Sequence, residues 1–171
     1  QVLLEAMTLD MFAVIIGGAT ALLPVFAKNI LGVGALGYGL LSAAIDIGAL
    51  AMSVVLVFLP QIRRAGRALI ISIAVFGLGT IAFGLSRSFL LSMFIYMAVG
   101  AADQISVVMR STLVQLESPD ELRGRVASVN GLFIGASNRM GAAESGVLAA
   151  ITSATFAVVF GGAACLGVLG L

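Results

Sequence analysis

Apolar segments of about twenty residues, separated by short polar connectors, restrict the fold of this chain more than any other feature. A helix that crosses the hydrocarbon core of a bilayer needs about 20 mostly apolar residues. Such segments lie at about 9–27, 38–59, 68–85, 89–113, 126–149 and 156–171. Residues 69–85 are apolar on nearly every face, whereas strands of a membrane barrel alternate polar and apolar residues. The sequence therefore predicts an all-α polytopic membrane protein with six transmembrane helices.

The composition excludes several classes of protein. Apolar residues make up 61% of the chain and charged residues 10%, and the mean hydropathy of +1.19 lies outside the range of soluble domains. A net charge of +1 gives no basic surface for nucleic acid. The sequence contains no histidine, and its single cysteine, Cys165, excludes an internal disulfide and a cysteine metal cluster. We therefore expect no enzymatic activity, no cofactor, no metal and no nucleic-acid partner.

Basic residues predict the orientation, because arginine and lysine favour cytoplasmic loops. The predicted second-to-third and fourth-to-fifth connectors hold five arginines: Arg63, Arg64, Arg67, Arg123 and Arg125. The opposite side has only Lys28 and Arg87. We expect the basic connectors and both ends of this segment in the cytoplasm. Because the chain starts at Gln1 rather than Met and stops at Leu171 within an apolar run, we also expect it to be a piece of a longer protein.

Local signals predict where helices end and how they pack. Lys28 and Asn29 should end the first helix, residues 31–37 form a glycine-rich connector, and Pro24 should bend the first helix. Ser118, Pro119 and Glu121 form a predicted capping box for the fifth helix. Small residues at four-residue spacing predict close helix contacts. These are Ala44 and Gly48, then Ala127, Gly131 and Gly135, then Ala142, Gly146 and Ala150.

Ionisable residues inside the predicted spans are the candidate functional residues. Each costs about 2.5–3.5 kcal/mol at the centre of a spanning helix, so such residues usually face a polar cavity. The candidates are Asp46, Asp103, Arg110, Arg139 and Glu144, with Asn130 and Asn138 nearby. The alternative for each is an ion pair or hydrogen bond that locks two helices together. Arg110 can also extend to the interface, and Asp46 and Arg139 can neutralise each other.

These residues suit the movement of a solute better than its cleavage. The chain has no GxSxG motif with a histidine, no phosphate-binding P-loop and no metal-ligand cluster. A small-molecule substrate and the lipid bilayer are the partners that this pattern predicts.

Four stretches carry a resemblance to a known family: residues 17–44, 79–92, 100–138 and 144–146. Together they resemble the second half of a major facilitator superfamily transporter. The branch is the bacterial group that contains the enterobactin exporter, also described as transmembrane secretion effectors. The strongest part is GAADQISVVMRSTLVQLESPDELRGRVASVNGLFIGASN at residues 100–138.

The resemblance implies a twelve-helix transporter with two six-helix halves, each a 3+3 inverted repeat. This chain would supply the last six helices, with residues 1–8 ending the central cytoplasmic loop, and its partner would be the missing N-terminal half. The implied activity is export of a siderophore- or drug-like molecule across the bacterial cytoplasmic membrane by alternating access and proton antiport. Asp103 is then the best candidate for the proton carrier.

The cytoplasmic loop motif of the superfamily, Gly-x-x-x-Asp-Arg-x-Gly-Arg-Arg/Lys, falls on residues 59–68. Arg64, Gly66 and Arg67 match, but Arg63 stands where the motif has its acid. In the next cytoplasmic connector the branch usually has Glu121, Arg123 and Arg125, which makes them gating candidates. Asp46 and Arg139 depart from the branch and are candidates for this protein's own substrate.

A second interpretation stays open on the sequence. A six-helix chain can also be a half-size channel-like or structural membrane protein that works as a homodimer. The length of the native gene product distinguishes the two interpretations, because the exporter requires about six further spans.

Overall fold

The computed structural model describes residues 19–58, 65–117 and 120–168, and these residues form helices joined by short connectors without a strand. An irregular helical segment, α1, covers residues 19–30. The regular helices are α2 (Gly34–Phe58), α3 (Ala65–Leu85), α4 (Phe89–Glu117), α5 (Arg123–Ile151) and α6 (Ala154–Val168). The prediction of an all-helical chain is confirmed for this part of the protein.

Helix α1 departs from regular geometry at Pro24. A 3₁₀ turn (Ala19–Leu22) leads into a single α-helical turn (Leu23–Val25) and then a π-helical turn (Phe26–Ile30). Proline disturbs a regular helix because it lacks a backbone N–H and clashes with the preceding turn. The predicted end at Lys28 is wrong, because the π turn continues to Ile30 and closes when the N–H of Leu31 donates to the carbonyl of Phe26 at 2.9 Å. The predicted residues 9–18 of this helix lie outside the described ranges.

The connector between α1 and α2 is shorter than predicted. It covers residues 31–33, and α2 already begins at Gly34 rather than after Gly37. Gly32 and Gly34 have φ angles of +66° and +64°, a left-handed conformation that glycine adopts without steric cost. Two glycines therefore make the turn, and the other glycines of the predicted connector are free to join the helix.

Helices α5 and α6 begin with different local structures. Ser118 and Pro119 of the predicted capping box lie outside the described residues, and Glu121 belongs to a 3₁₀ turn (Asp120–Leu122) that leads directly into α5. Helix α6 follows a two-residue break after Ile151. The side-chain oxygen of Ser153 there accepts a hydrogen bond from the backbone N–H of Phe156 at 3.1 Å, as an N-cap residue does.

Helix α4 lies at the centre of the packing. It contacts α2 on one side and α3 on the other, and α3 also packs against α6, while α5 packs against α1 and α6. One buried cluster joins α1, α2, α3, α4 and α6, and its aromatic members are Phe26, Phe83 and Tyr96. The ring centroids of Phe26 and Phe83 are 5.0 Å apart, and those of Phe83 and Tyr96 are 4.7 Å apart. This cluster ties the first helix to the rest of the bundle.

Glycines allow α2 and α4 to approach each other closely. A Cβ atom built on Gly48 would overlap the carbonyl oxygen of Met97, and one built on Gly100 would overlap the carbonyl oxygen of Ile45. Ala44 and Gly48 are both buried, so the small-residue contact predicted on this helix is confirmed. In a bilayer, where apolar burial between helices gives little driving force, such close backbone packing is a main source of association.

The small residues predicted to pack on α5 do not do so within the described structure. A Cβ atom on Gly131, Gly135 or Gly146 would have no described neighbour within 4 Å. The buried side of α5 is instead lined by Ser137, Gly141 and Ser145. The physical reason is that α5 contacts α1 and α6 along a different face from the one that carries the four-residue glycine repeat.

The helices identify a multi-pass membrane protein. Three of the described helical segments are long and apolar enough to cross a bilayer: Gly34–Phe58, Gly66–Leu85 and Phe89–Thr112. Their outer surfaces are apolar, as at Leu36 and Phe58, whose side chains are 77% and 82% exposed. Helix α6 is apolar but shorter. Helix α5 is not among the segments that are both long enough and apolar enough to cross a bilayer. The number of six spans stays a prediction.

A pair of matched substitutions tests the contact between α2 and α4. We expect Gly48→Ala to destabilise the protein by about 1–3 kcal/mol, the usual cost of overpacking, because the new methyl group meets the backbone of Met97. Gly39→Ala on the same helix should be tolerated, since among the described residues no other helix and no side chain beyond its chain neighbours lies within 4 Å of its Cβ position. Thermal unfolding of the detergent-purified protein, followed by size-exclusion chromatography, compares them. Equal melting temperatures for the two variants would contradict this packing.

Candidate functional site

Helix α4 carries a polar strip within an otherwise apolar span. Asp103 and Arg110 are both half-buried. They are seven residues apart, which places them on one face of the helix at about 10 Å along its axis. Ser106 lies between them and is buried. We call Asp103, Ser106 and Arg110 the α4 polar strip.

The neighbouring contacts determine where Asp103 lies. One turn before Asp103, Gly100 of α4 packs against Ile45 of α2. The neighbouring residue of α4, Val99, packs against Gly79 of α3. Residues three and four apart share a helix face, so Asp103 continues the face of α4 that packs between α2 and α3. Asp103 is half-buried there, between the face of α4 that contacts α2 and the face that contacts α3.

A buried hydrogen bond fixes the middle of the strip to α3. The side-chain oxygens of Ser106 and Ser72 are 2.9 Å apart, and the hydroxyl of Ser72 also donates to the backbone carbonyl of Leu69 at 2.8 Å. Both serine side chains are buried. Hydrogen bonds between helices in a membrane are worth about 0.6 kcal/mol on average, so this pair sets the register of the two helices more than it stabilises them.

A second group of predicted residues lies on α5. Asn130 is half-buried, whereas Asn138, Arg139 and Glu144 are exposed. Glu144 lines an open groove between α5 and α6. Within the described residues, no hydrogen bond or ion pair joins these four residues to Asp103.

The proposed neutralisation of Asp46 by Arg139 does not appear in the described structure. Both side chains are exposed, and in the described ranges no ion pair joins them. On α2, Asp46 is two residues before Gly48, which turns it about 200° away from the face that packs on α4. Each charge therefore lies on a surface that the described helices leave uncovered.

The loop-motif and gating candidates, which the sequence predicts on the cytoplasmic side, lie at helix ends. Gly66 and Arg67 are exposed in the first turn of α3, Glu121 is exposed in the 3₁₀ turn and Arg125 is exposed in the first turn of α5. Arg123 is the first residue of α5, and Arg64 lies outside the described residues. No contact between the two loops is described, so their gating role stays a prediction.

Sequence reasoning missed three groups that the structure identifies. The pair Ser72 and Ser106 is invisible in the sequence because its members are 34 residues apart. Ser86 and Ser92 form a second buried pair at 2.9 Å. Tyr96 is 2% exposed, and its hydroxyl has no hydrogen-bond partner among the described residues. Serine and tyrosine in apolar helices are the available signal, but only the fold shows which of them are buried.

The structure offers no built site for a metal ion in the part of the chain that it describes. Nowhere in those ranges do three aspartate, glutamate or cysteine side chains come together in a way that could hold a metal ion.

Comparison with known proteins assigns the chain to a family. The family model for transmembrane secretion effectors (MFS_3) matches residues 1–171, which is the whole chain. The protein therefore belongs to this family of the major facilitator superfamily, in agreement with the resemblance described above. No curated protein and no solved structure matches it significantly.

The serine pair makes a direct prediction. Ser72→Ala and Ser106→Ala should each lower stability, because each leaves the other hydroxyl without its interhelical partner. The double variant should lose less than the sum of the two single variants, with a coupling energy of about 0.6 kcal/mol. A double-mutant cycle of unfolding free energies measures this coupling. Strict additivity would mean that the two hydroxyls do not bond in the protein.

The unpaired hydroxyl of Tyr96 predicts that its removal does not lower the stability of the protein, unlike removal of either serine hydroxyl. Removing a buried polar group that has no partner relieves its desolvation cost, which is about 1–3 kcal/mol. Tyr96→Phe should therefore keep or raise the melting temperature of the full-length protein. Tyr38→Phe, at a side chain that is 41% exposed, is the matched control and should leave it unchanged. A clear loss of stability in Tyr96→Phe would show that the hydroxyl has a partner outside the described residues.

Proposed function

We propose that this chain is the second half of a twelve-helix exporter in the bacterial cytoplasmic membrane. The exporter moves a small siderophore- or drug-like molecule out of the cell by alternating access, driven by proton antiport. The ends of the segment and its basic loops lie in the cytoplasm. Membership of the transmembrane secretion effector family supports membrane transport.

Asp103 is the observation that carries the proposal. An ionisable residue inside a spanning helix is expensive and marks a functional path more often than not. Asp103 lies in the middle of the apolar segment Phe89–Thr112, between the faces of α4 that contact α2 and α3, with a basic residue, Arg110, further along the same face. A carboxyl group in such a place can take up a proton from one side and release it to the other when the helices around it move.

The order of helix contacts supports the inverted-repeat architecture. Suppose that α1 is exchanged with α4, α2 with α5 and α3 with α6. The contact between α2 and α4 then becomes the contact between α5 and α1, which is also present in the structure. The same exchange maps the contact of α3 with α4 onto that of α6 with α1. The contact of α3 with α6 maps onto itself. These pairings are expected when two three-helix units are related by a pseudo-twofold axis in the membrane plane, although the contact of α5 with α6 has no comparable contact of α2 with α3.

The uncovered charges support a polar surface between two halves. Asp46 and Arg139 are exposed on helices that would otherwise contact lipid, and Asn138 is exposed beside Arg139. Charged side chains in spanning helices face a bundle interior or a water-filled cavity rather than hydrocarbon. We therefore assign these residues to the surface that meets the other half and the transport cavity, which also explains why α5 is the most polar of the helices.

The proposed mechanism follows from this arrangement. The two halves rock around the cavity, so that the polar surface opens first to the cytoplasm and then to the outside. Asp103 binds a proton in the outward-facing state and releases it in the inward-facing state. The exposed arginines at the cytoplasmic ends of α3 and α5 hold the closed inner gate by contacts with the other half.

The substitution Asp103→Asn tests the coupling. In the full-length protein it should abolish efflux driven by a pH gradient, because asparagine has a similar shape but carries no exchangeable proton at this site. Expression and melting temperature should be preserved. Uptake of fluorescent candidate substrates into inside-out vesicles, energised by an imposed pH gradient, measures the effect.

Gln104→Ala is the matched control. Gln104 is the next residue on α4 and is also half-buried, but it has no proton to exchange, so pH-driven efflux should continue in that variant. Unchanged efflux in Asp103→Asn would remove this residue from the coupling role. Loss of efflux in both variants would show that this part of α4 serves packing instead.

A further inference from the structure

Two buried hydroxyls lie close to Asp103 in the contact between α3 and α4. The side-chain oxygens of Ser72 and Ser106 are 2.9 Å apart, and Ser106 follows Asp103 by three residues. Side chains at this spacing are neighbours on a helix surface, with Cβ atoms about 5–6 Å apart. Among the described residues no hydrogen bond holds the carboxyl of Asp103, so a change of its rotamer can bring it to the hydroxyl of Ser106.

The proton of Ser106 is not committed to its own helix. Several hydroxyls of the described helices donate to a carbonyl of the same helix, as those of Ser53, Thr80 and Ser111 do. Ser106 makes no such bond within the described residues, where its partner is Ser72 of α3. Its hydroxyl can therefore act as a donor or as an acceptor toward a side chain on α4.

The direction of the bond between the two serines can reverse. A hydroxyl has one proton, and Ser72 has two acceptors for it, the side-chain oxygen of Ser106 at 2.9 Å and the backbone carbonyl of Leu69 at 2.8 Å. When Ser72 donates to Leu69, Ser106 donates to Ser72. When Ser72 donates to Ser106, the proton of Ser106 becomes available to another acceptor. Only the O–H bonds rotate between the two arrangements.

Apolar side chains enclose the serine pair, Ser72 and Ser106. Both serines are buried, and next to them Leu69, Ile73 and Cys165 form a buried cluster. In such a low-dielectric surrounding a hydrogen bond is stronger than it is in water. The serine pair is therefore able to respond to the charge of a carboxyl that it bonds.

The other ionisable residues around α4 stay the same in every variant compared below. Arg110 lies on the same face as Asp103, about 10 Å along the axis. The remaining ones on α4 and on the helices that pack against it are Tyr96 and Glu117 on α4, Tyr38 and Asp46 on α2, Arg67 on α3, and Arg123, Arg125, Arg139 and Glu144 on α5. Differences between serine variants therefore report the hydroxyls.

We propose that Ser72 and Ser106 are positioning residues that hold Asp103 in both of its protonation states by reversing the direction of their hydrogen bonds. When the carboxyl is ionised, Ser72 donates to Ser106 and Ser106 donates to the carboxylate. When it is protonated, the carboxyl O–H donates to Ser106, Ser106 donates to Ser72, and Ser72 donates to the carbonyl of Leu69. The inference rests on the proposed function, in which Asp103 takes up and releases a proton.

Infrared difference spectroscopy of the purified full-length protein follows the protonation of Asp103 directly. The C=O stretching band of the protonated carboxyl is lost as the pH rises, and its absence in Asp103→Asn assigns it. Ser106→Ala should move the midpoint of this titration to higher pH by about half a unit to one unit. Hydrogen bonds to charged groups are about twice as strong as those between neutral groups, so the ionised form loses more.

Ser72→Ala should move the midpoint in the opposite direction. Without Ser72, the proton of Ser106 has no other described acceptor than the carboxylate, so Ser106 stays a donor and favours the ionised form. Both variants break the same bond between serines, so a purely structural effect would move both midpoints alike. Ser106→Thr keeps the hydroxyl and should restore the wild-type midpoint.

Ser92→Ala is the matched control. The side-chain oxygen of Ser92 is 2.9 Å from that of Ser86 in a second buried pair, but Ser92 is about 16 Å from Asp103 along the axis of α4. Its loss should leave the midpoint unchanged. Unmoved midpoints in Ser72→Ala and Ser106→Ala, or shifts of both in one direction, would overturn the proposal. A shift in Ser92→Ala as large as that in Ser106→Ala would also overturn it.

The outcome is separable from that of the exporter proposal. Opposite shifts in the two serine variants, with pH-driven efflux unchanged in Asp103→Asn, would support the serine pair and remove the coupling role of Asp103. Loss of efflux in Asp103→Asn, with midpoints that do not move, would leave the exporter standing and remove the role of the serine pair. A carboxyl band that does not titrate in the wild type would overturn the role of the serine pair as well.

Discussion

The close contact of α2 and α4 at Gly48 and Gly100 is the interaction on which the rest of the bundle depends. Each glycine lets the backbone of one helix meet a carbonyl of the other, which larger residues would prevent. Apolar side chains gain little by leaving lipid for one another, so helices in a membrane need such backbone proximity to associate. This contact fixes α4 against α2, while α3 packs on another face of α4, and Asp103 lies between these two faces.

Two kinds of polar residue can be separated by their surroundings. Ser72, Ser106 and Ser137 are buried between described helices and serve packing and register. Asp46, Arg139 and Asn138 are exposed on spanning or polar helices, where lipid would be a costly neighbour. The first kind explains how the six-helix unit holds together. The second kind is the reason for proposing another polar surface, which the second half and the transport cavity would supply.

Much of the fold could be predicted from the sequence because apolar segments and turn residues mark helices strongly. The helix break at residues 86–88, the contact at Gly48 and the position of Asp103 within a long apolar helix all follow from such signals. The extension of α1 through Ile30 could not be predicted, because a π turn allows Lys28 and Asn29 to stay helical. The short connector also escaped prediction, since Gly34 and Gly37 resemble loop residues in the sequence but start a helix here.

The sequence identifies individual candidate residues of the site but not their arrangement in the bundle. Hydropathy identifies Asp103 and Glu144 as unusual, but it does not show that they lie on separate surfaces of the bundle. Periodicity indicated the glycine repeat of α5, yet the face that packs carries Ser137, Gly141 and Ser145 instead. Pairings such as Ser72 with Ser106 depend on which helices are neighbours, and that order becomes visible only in three dimensions.

Alternating access is the central claim of this account, and the accessibility of Asn138 tests it most directly. This residue lies near the middle of α5 and is exposed, and the one cysteine of this chain, Cys165, is buried. In a full-length protein whose other half has been freed of cysteines, a cysteine introduced by Asn138→Cys can therefore be labelled selectively. Membrane-impermeant maleimides would be applied to right-side-out and inside-out vesicles that contain the full-length protein. The account predicts labelling from both sides of the membrane. Labelling from neither side, or from one side under all conditions, would contradict it.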